Sequence, residues 1–285
     1  DKMKPYIRWI LRMGVYQLLY TDRIHDGAAV SESVELTRSF GFEKLTPFVN
    51  AVLRNISRSK DKLDFPCDSI KYSIPDWICK RLEKYCGKDS SREIFSSHLE
   101  PAPLTIRLDE RYPVSGRREL IERMKLKSES LEIEEHPLLS YAYILKGASD
   151  VRTLYGYEEG YFAVQDAAAQ LVMEIAGIKE GDLIVDVCAA PGGKTLHAYS
   201  KSHIRNTRNE SVVYAFDRTE NKCALIRENA RRMKAEPDLN IRVHDSEECE
   251  ESLKGKADVL ICDLPCSGLG VIGRKADIKY RVKED

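Results

Sequence analysis

The strongest constraint lies between residues 182 and 263. There, short continuous apolar runs alternate with amphipathic stretches: DLIVDVC, GGKTLHAYSK, VVYAFD, TENKCALIRENARRMKA, IRVHD and ADVLICD. Apolar runs of this length without polar alternation are strands covered on both faces, and helices between them are crossovers. The pattern predicts a parallel, doubly wound (Rossmann-like) α/β sheet. Ligands of such sheets bind beyond the carboxyl ends of the strands. Each predicted strand ends in, or runs into, an acid: Asp186, Asp217, Asp245 and Asp263. One such acid would be read as a cap for the next helix. Four in succession along one sheet edge point to a site.

The first of these strands opens into DVCAAPGGKT, residues 186–195. A phosphate-cradling loop needs GxxxxGK[ST]. Gly193-Lys194-Thr195 fits its end, but Cys188 stands at the first glycine. The dinucleotide pattern GxGxxG is absent too. What remains is an adenosine-type cofactor without a pyrophosphate, with S-adenosylmethionine leading. Asp217 is spaced to accept from ribose hydroxyls, and Asp245 could sit near an adenine amino group. Behind the fourth strand stands Asp263-Leu264-Pro265-Cys266. A thiol suits a pyrimidine whose carbon-5 is not nucleophilic: attack at carbon-6 makes carbon-5 enamine-like, and the thiolate leaves after methyl transfer and loss of the carbon-5 proton. Cys266 could be that nucleophile, an assistant, or a small buried residue.

Ahead of this region the chain changes character. Residues 5–60 read as helices. Ile7, Ile10, Leu11, Val15, Leu18 and Leu19 recur at helical steps, AAVSESVELTRSF forms a second helix stopped by Gly41, and TPFVNAVLRNISR a third. In the third, Thr46 is expected to cap, Pro47 to open the helix, and Phe48, Val49, Val52, Leu53 and Ile56 to form its apolar face. Its basic end, with Arg54 and Arg58, reads locally as a solvated face. SIPDWICKRLEKYCG adds a helix with a stripe of Trp77, Ile78, Leu82 and Tyr85, ended by Gly87. Residues 101–160 read as a small α+β segment rich in Arg107, Arg111, Arg117, Arg118, Arg123, Lys125 and Lys127. The expected domains are therefore 1–64 (all-α), 65–100 (helical linker), 101–160 (small α+β) and 161–285 (Rossmann-like). A length of 285 residues with 42% hydrophobic residues suffices for more than one core. A net charge of −1 offers no global attraction to nucleic acid, so any basic face is local. The eight cysteines include no CxxC and no zinc-type Cys/His spacing, which leaves no expected metal site and suggests free thiols in a reducing, cytoplasmic setting.

DVCAAPGGKT, AFDRTENKC and DLPCSGLG together resemble the Nol/Nop/Sun family of RNA cytosine-5 methyltransferases. RMGVYQLLY, AAVSESVELTR and FVNAVLRNI resemble a NusB-like RNA-binding domain, and YSIPDWICKRLEKYCG, PLTIRL and VQDAAAQLV extend the similarity over almost the whole chain. The resemblance implies an S-adenosylmethionine-dependent methyltransferase acting on a cytosine of 16S ribosomal RNA. It implies that Cys188, Ala189, Ala190, Pro191, Gly192, Gly193 and Lys194 form the cofactor loop, with Asp217, Asp245 and Asp263 as further cofactor-binding acids. It moves Cys266 from nucleophile to an assisting cysteine that helps release methylated RNA, because the family's nucleophile lies in a Thr-Cys motif on a later strand. No Thr-Cys occurs in these 285 residues. The expectation is a chain incomplete at both ends and without turnover alone, its RNA contacts including Arg54, Arg58 and the basic residues of 107–127. The competing expectation is a non-catalytic NusB-type RNA-binding protein with a vestigial methyltransferase part.

Overall fold

The computed structural model describes residues 3–100, 102–128, 130–148, 150–203 and 211–284. It divides into two compact units, Asp1–Arg92 and Glu93–Asp285.

The first unit is helical. α1 (Pro5–Tyr20), α2 (Asp26–Ser39) and α3 (Thr46–Arg58) close on one core of Ile7, Ile10, Leu11, Leu18, Ala29, Val30, Val49 and Leu53. The helical spacing of α1 and α3 thus finds its partners, with one exception. Phe48 turns outward and stays exposed, because Val49 and Leu53, four residues apart, already fill the buried seam. Thr46 does not cap. A 3-10 turn at Glu43–Leu45 runs straight into α3, so Thr46 is its first residue and its hydroxyl donates back to the Glu43 carbonyl at 2.8 Å. α4 (Asp68–Lys71) is one turn, and α5 (Asp76–Cys86) buries Ile78 and Cys79. Cys79 takes the place expected of Tyr85, which is exposed, because positions 78, 79 and 82 share a narrower face than 77, 78, 82 and 85. Gly87 ends α5 as expected, at φ +78°. α6 (Lys88–Ser97) carries the chain onward.

The second unit has two sheets. The first is antiparallel, in the order β2-β3-β1-β4. It comprises β1 (Leu104–Leu108), β2 (Glu132–His136), β3 (Leu139–Lys146) and β4 (Phe162–Val164), with α7 (Val114–Lys127) connecting β1 to β2. Ile106 and Leu108 point to the α7 side, into a core with Leu120, Ile121, Met124, Tyr143, Leu145 and Phe162. Strand alternation sends Arg107 to the opposite face, which is covered rather than open: Arg107 is 0% exposed. Arg111 is tied to Asp109 and to the Met233 carbonyl. These two arginines therefore leave the phosphate-contacting surface expected of residues 107–127.

The second sheet is parallel, in the order β7-β6-β5-β8, and matches the predicted alternation. α8 (Ala167–Ile175) precedes β5 (Leu183–Asp186). Then follow α9 (Gly193–Ser202), β6 (Val212–Asp217), α10 (Glu220–Arg232), β7 (Leu239–Val243), β8 (Val259–Ile261) and a short α11 (Ile278–Arg281). Its core joins Met173, Ile184, Leu196, Tyr199, Val213, Met233 and Ile261. The third strand lies two residues earlier than IRVHD suggested, so Asp245 sits beyond its end rather than closing it. Among the described residues no helix is long and apolar enough to cross a membrane.

The sheets meet through apolar contacts, with Ala163 in the second core and Leu171 against Leu139, Tyr141 and Ala142, and through polar groups. Ser200 of α9 donates to Asp109 at 2.7 Å and accepts from the Glu110 amide at 3.0 Å. Lys201 reaches Glu174 at 2.6 Å and Glu110 at 3.5 Å, and Tyr141 donates to Glu174. Gly160 passes against the end of α10, where a Cβ would lie 2.1 Å from the Arg232 carbonyl oxygen.

Candidate active site

The loop between β5 and α9 is fastened at nearly every residue. β5, central in its sheet, ends at Asp186, whose carboxylate accepts from Thr195 in the first turn of α9 (2.7 Å) and from the Cys188 amide (3.4 Å). The Ala189 amide donates to the Phe216 carbonyl at 2.9 Å, and the Ala190 amide to Asp217 at 3.0 Å. The Pro191 carbonyl accepts from Asn229, and the Ala190–Pro191 peptide is cis. Gly192 then turns the chain at φ +104°, a conformation that disfavours any side chain. Its amide donates to Ala189, and its carbonyl accepts from Leu196 to start the helix. At Gly193 a Cβ would meet nothing within 4 Å. This is the open side of the loop, where a ligand can approach the backbone.

That side faces a cavity lined by Cys188, Ala189, Ala190, Pro191, Gly193 and Lys194 from the loop, with Asp186, Asp263, Gln165 and Ala169. Lys194 bonds Asp263, joining DVCAAPGGKT to DLPCSGLG. Burial pushes the Asp186 carboxyl up to about 6, against the opposing pull of Thr195, the Cys188 amide and Lys194. Asp217 does not line this cavity. It is 3% exposed, and its carboxylate is engaged by the Ala190 amide, the Arg218 amide (2.7 Å) and Lys222 (2.9 Å). Burial alone would raise its carboxyl, but these three donors hold it below the usual range. Asp245 stands further along the sheet edge, 3.2 Å from Arg218. Cys266 is exposed, its sulfur accepting from the Gly268 amide at 3.4 Å, and it is outside the cavity lining. In the helical unit, Arg54 and Arg58 are exposed, with Arg54 donating to Asn50 at 3.0 Å.

Sequence reasoning did not single out Gln165. The buried Arg107 donates from Nε to the Gln165 side-chain oxygen at 2.8 Å. Since guanidinium only donates, the amide orientation follows, and Nε2 is the end left over. That nitrogen is buried and has no partner among the described residues. The contact spans 58 positions in sequence, so no local pattern announces it. The structure also gathers Glu110, Glu174 and His197 within 4.8 Å of one another. Lys201 supplies a cation to both carboxylates there. Burial, then Arg107 and Lys201, press the His197 imidazole down to about 2, so it is neutral.

Two protein families match parts of the chain. Residues 1–58 match the NusB family, and residues 173–285 match the family 16S rRNA methyltransferase RsmB/F. The probable ribosomal RNA small subunit methyltransferase B of Bacillus subtilis is 32% identical over 293 residues, covering 100% of this chain and 63% of that protein. Its counterpart named in Vibrio cholerae, ribosomal RNA small subunit methyltransferase B, is 33% identical over 281 residues, covering 97% and 62%. The chain thus spans less than two thirds of these curated relatives. Among solved structures, PH0851 superposes with a TM-score of 0.71 at 23% identity, covering 99% of this chain and 63% of the other. NSun6 from Pyrococcus horikoshii, solved with SFG, gives 0.55 at 18%, covering 68% and 71%. Both likenesses concern the fold.

Proposed function

We propose that the chain, whose residues 173–285 match the RsmB/F methyltransferase family and whose residues 1–58 match the NusB family, takes part in S-adenosylmethionine-dependent methylation of carbon-5 of a cytosine in 16S ribosomal RNA, in the cytoplasm. The observation that carries this reading is the cavity in which the CAAPGGK loop meets Asp263 of DLPCSGLG. The residues fit such a ligand. Gly193 leaves the backbone open, Lys194 and Gln165 offer donors, and Asp186 and Asp263 offer acceptors. The cofactor, when bound, supplies an electrophilic methyl group. Cys188 to Lys194 hold it, with Asp217 behind the loop and Asp245 further along the sheet edge.

On this reading the Lys194–Asp263 pair opens when the site fills, and each partner then meets a ligand group. Asp263 begins the loop that carries Cys266, so carboxylate and thiol share one short segment. Cys266 acts in release of the product rather than in attack. Since the 285 residues contain no Thr-Cys pair, they are expected to bind cofactor without turning over alone. Arg54 and Arg58 contribute phosphate contacts.

The test is labelled methyl transfer from S-adenosylmethionine to 16S ribosomal RNA, by this chain and by the product of its whole gene, with the modified base identified. Carbon-5-methylated cytosine from the whole product supports the reading. Labelled product at any other atom overturns it, as does failure of either protein to bind S-adenosylhomocysteine.

A further inference from the structure

The basic residues of 107–127 that remain at the surface do not form a featureless patch. With Arg107 and Arg111 withdrawn, Arg117 and Arg123 line a cavity of about 250 Å³ between α7 and the segment 155–161. Its other walls include Tyr112, Tyr155 and Tyr161. That volume falls below the roughly 300–1,000 Å³ of sites for drug-sized ligands and suits a single ring system with its attachments.

The tyrosines are held, and cations accompany them. Tyr112 meets Tyr161 edge-on, ring centres 4.8 Å apart at 84°. Arg123 donates to the Tyr155 hydroxyl at 2.8 Å and lies 5.5 Å from its ring centre, with Lys127 at 4.6 Å from the same ring. Lys234, arriving from the end of α10, stands 5.8 Å from the Tyr161 ring. Arg123 is also paired with Glu119 on its own helix. Arg117 differs: its Nε is buried in the cavity wall and has no hydrogen-bond partner among the described residues. The cavity therefore combines aromatic surfaces for stacking with a guanidinium whose Nε lacks a partner among the described residues.

We propose that this tyrosine–arginine cleft, on the far side of the antiparallel sheet from the methyl-transfer cavity, binds one unpaired nucleotide of single-stranded RNA. The base stacks on tyrosine, and Arg117 meets the adjoining phosphate or a base-edge oxygen. Single-strand binders use this combination of aromatic platforms and cationic flanks, because every base has a π face. The inference rests on the RNA substrate proposed above and adds a second point of contact for it.

The experiment measures binding of a short unstructured oligoribonucleotide to the 285-residue chain by fluorescence anisotropy, across a salt series. Tyr155→Ala and Arg117→Ala are each expected to weaken binding about tenfold. Tyr155→Phe, which keeps the ring, should stay within about twofold. Arg117→Ala should also flatten the salt dependence by about 0.7 in logarithmic slope, as loss of one phosphate contact requires. Binding of S-adenosylhomocysteine should be unchanged in all three. Tyr155 is half-buried, so Arg117→Glu, at a partly exposed helix position, keeps the test informative if Tyr155→Ala melts early. Wild type that binds RNA no better than the variants overturns the inference alone. An RNA duplex bound as tightly as the single strand, with the same response to the variants, overturns it too. Wild type that binds no RNA overturns the substrate reading along with it.

Discussion

The two sequence motifs that meet in the cavity are built in opposite ways. Residues 186–195 leave the central strand β5, flanked by β6 and β8, and the backbone amides from Val187 to Gly192, the proline aside, are all hydrogen-bonded. Residues 263–270 leave β8, which has one strand neighbour among the described residues, and there Leu264 and Cys266 are exposed. The first motif is a rigid seat. The second is a segment tethered mainly by Lys194 to Asp263 and by its own short-range bonds. A loop with satisfied backbone groups is costly to deform, whereas an exposed one opens at low free energy. On the proposed function, the difference separates a part that holds a ligand in one pose from a part that admits and releases a base.

The largest expected effect comes from Gly192, on which the rigid seat turns. Gly192→Val forces a β-branched residue to φ +104°. It should cost up to about 3 kcal/mol in stability and weaken S-adenosylhomocysteine at least tenfold in calorimetric titration. Retained affinity would mean that the loop is not the seat. Next is Asp186. Its folded carboxyl titrates at about 6, above the roughly 3.9 of an unfolded chain. Between these values the native state keeps a proton that the unfolded state has released. The group's contribution to stability is therefore present below about pH 4 and is lost as pH rises through 6, a change of about 2–3 kcal/mol. Asp186→Asn should remove this decline, so denaturant midpoints of variant and wild type should diverge with rising pH. Parallel curves would refute the buried, proton-holding picture.

Smaller effects should come from the exposed segment. Asp263 is 58% exposed on its side chain, so breaking its pair in Asp263→Asn should alter stability by less than about 1 kcal/mol. The same change should reduce methylation by the whole gene product. A large loss of stability instead would show the tether to be structural. Cys266→Ser should be nearly silent in folding, within about 0.5 kcal/mol, when followed by thermal melting.

The parallel sheet and the rigid loop were legible because their signals are local. Continuous apolar runs and glycines mark covered strands and a tight turn. Thr219 likewise caps α10 as its sequence suggests, accepting from the Lys222 amide. What stayed illegible is decided by a second layer of structure. Arg107 alternates with Ile106 and Leu108 as a solvent-facing residue would, and only the packing of α8 and α9 against that face buries it. Gln165 becomes a site residue through that same arginine. Thr46 carries the chemistry of a cap, but the preceding 3-10 turn moved the helix start onto it. The tyrosine–arginine cleft draws residues from α7 and from beyond β3, and no single stretch contains it.

Beside its apolar contacts, the joint between the two sheets of the second unit has aimed bonds: Ser200 to Asp109, Lys201 to Glu110, Tyr141 to Glu174, Arg232 to the carbonyls of Tyr157 and Phe162. An oily joint lets its plates slide and still pays little for it. A joint of directional bonds has one seating, since any slip strands several buried polar groups at once. The two sheets are thereby set at one span, like the jaws of a locked caliper.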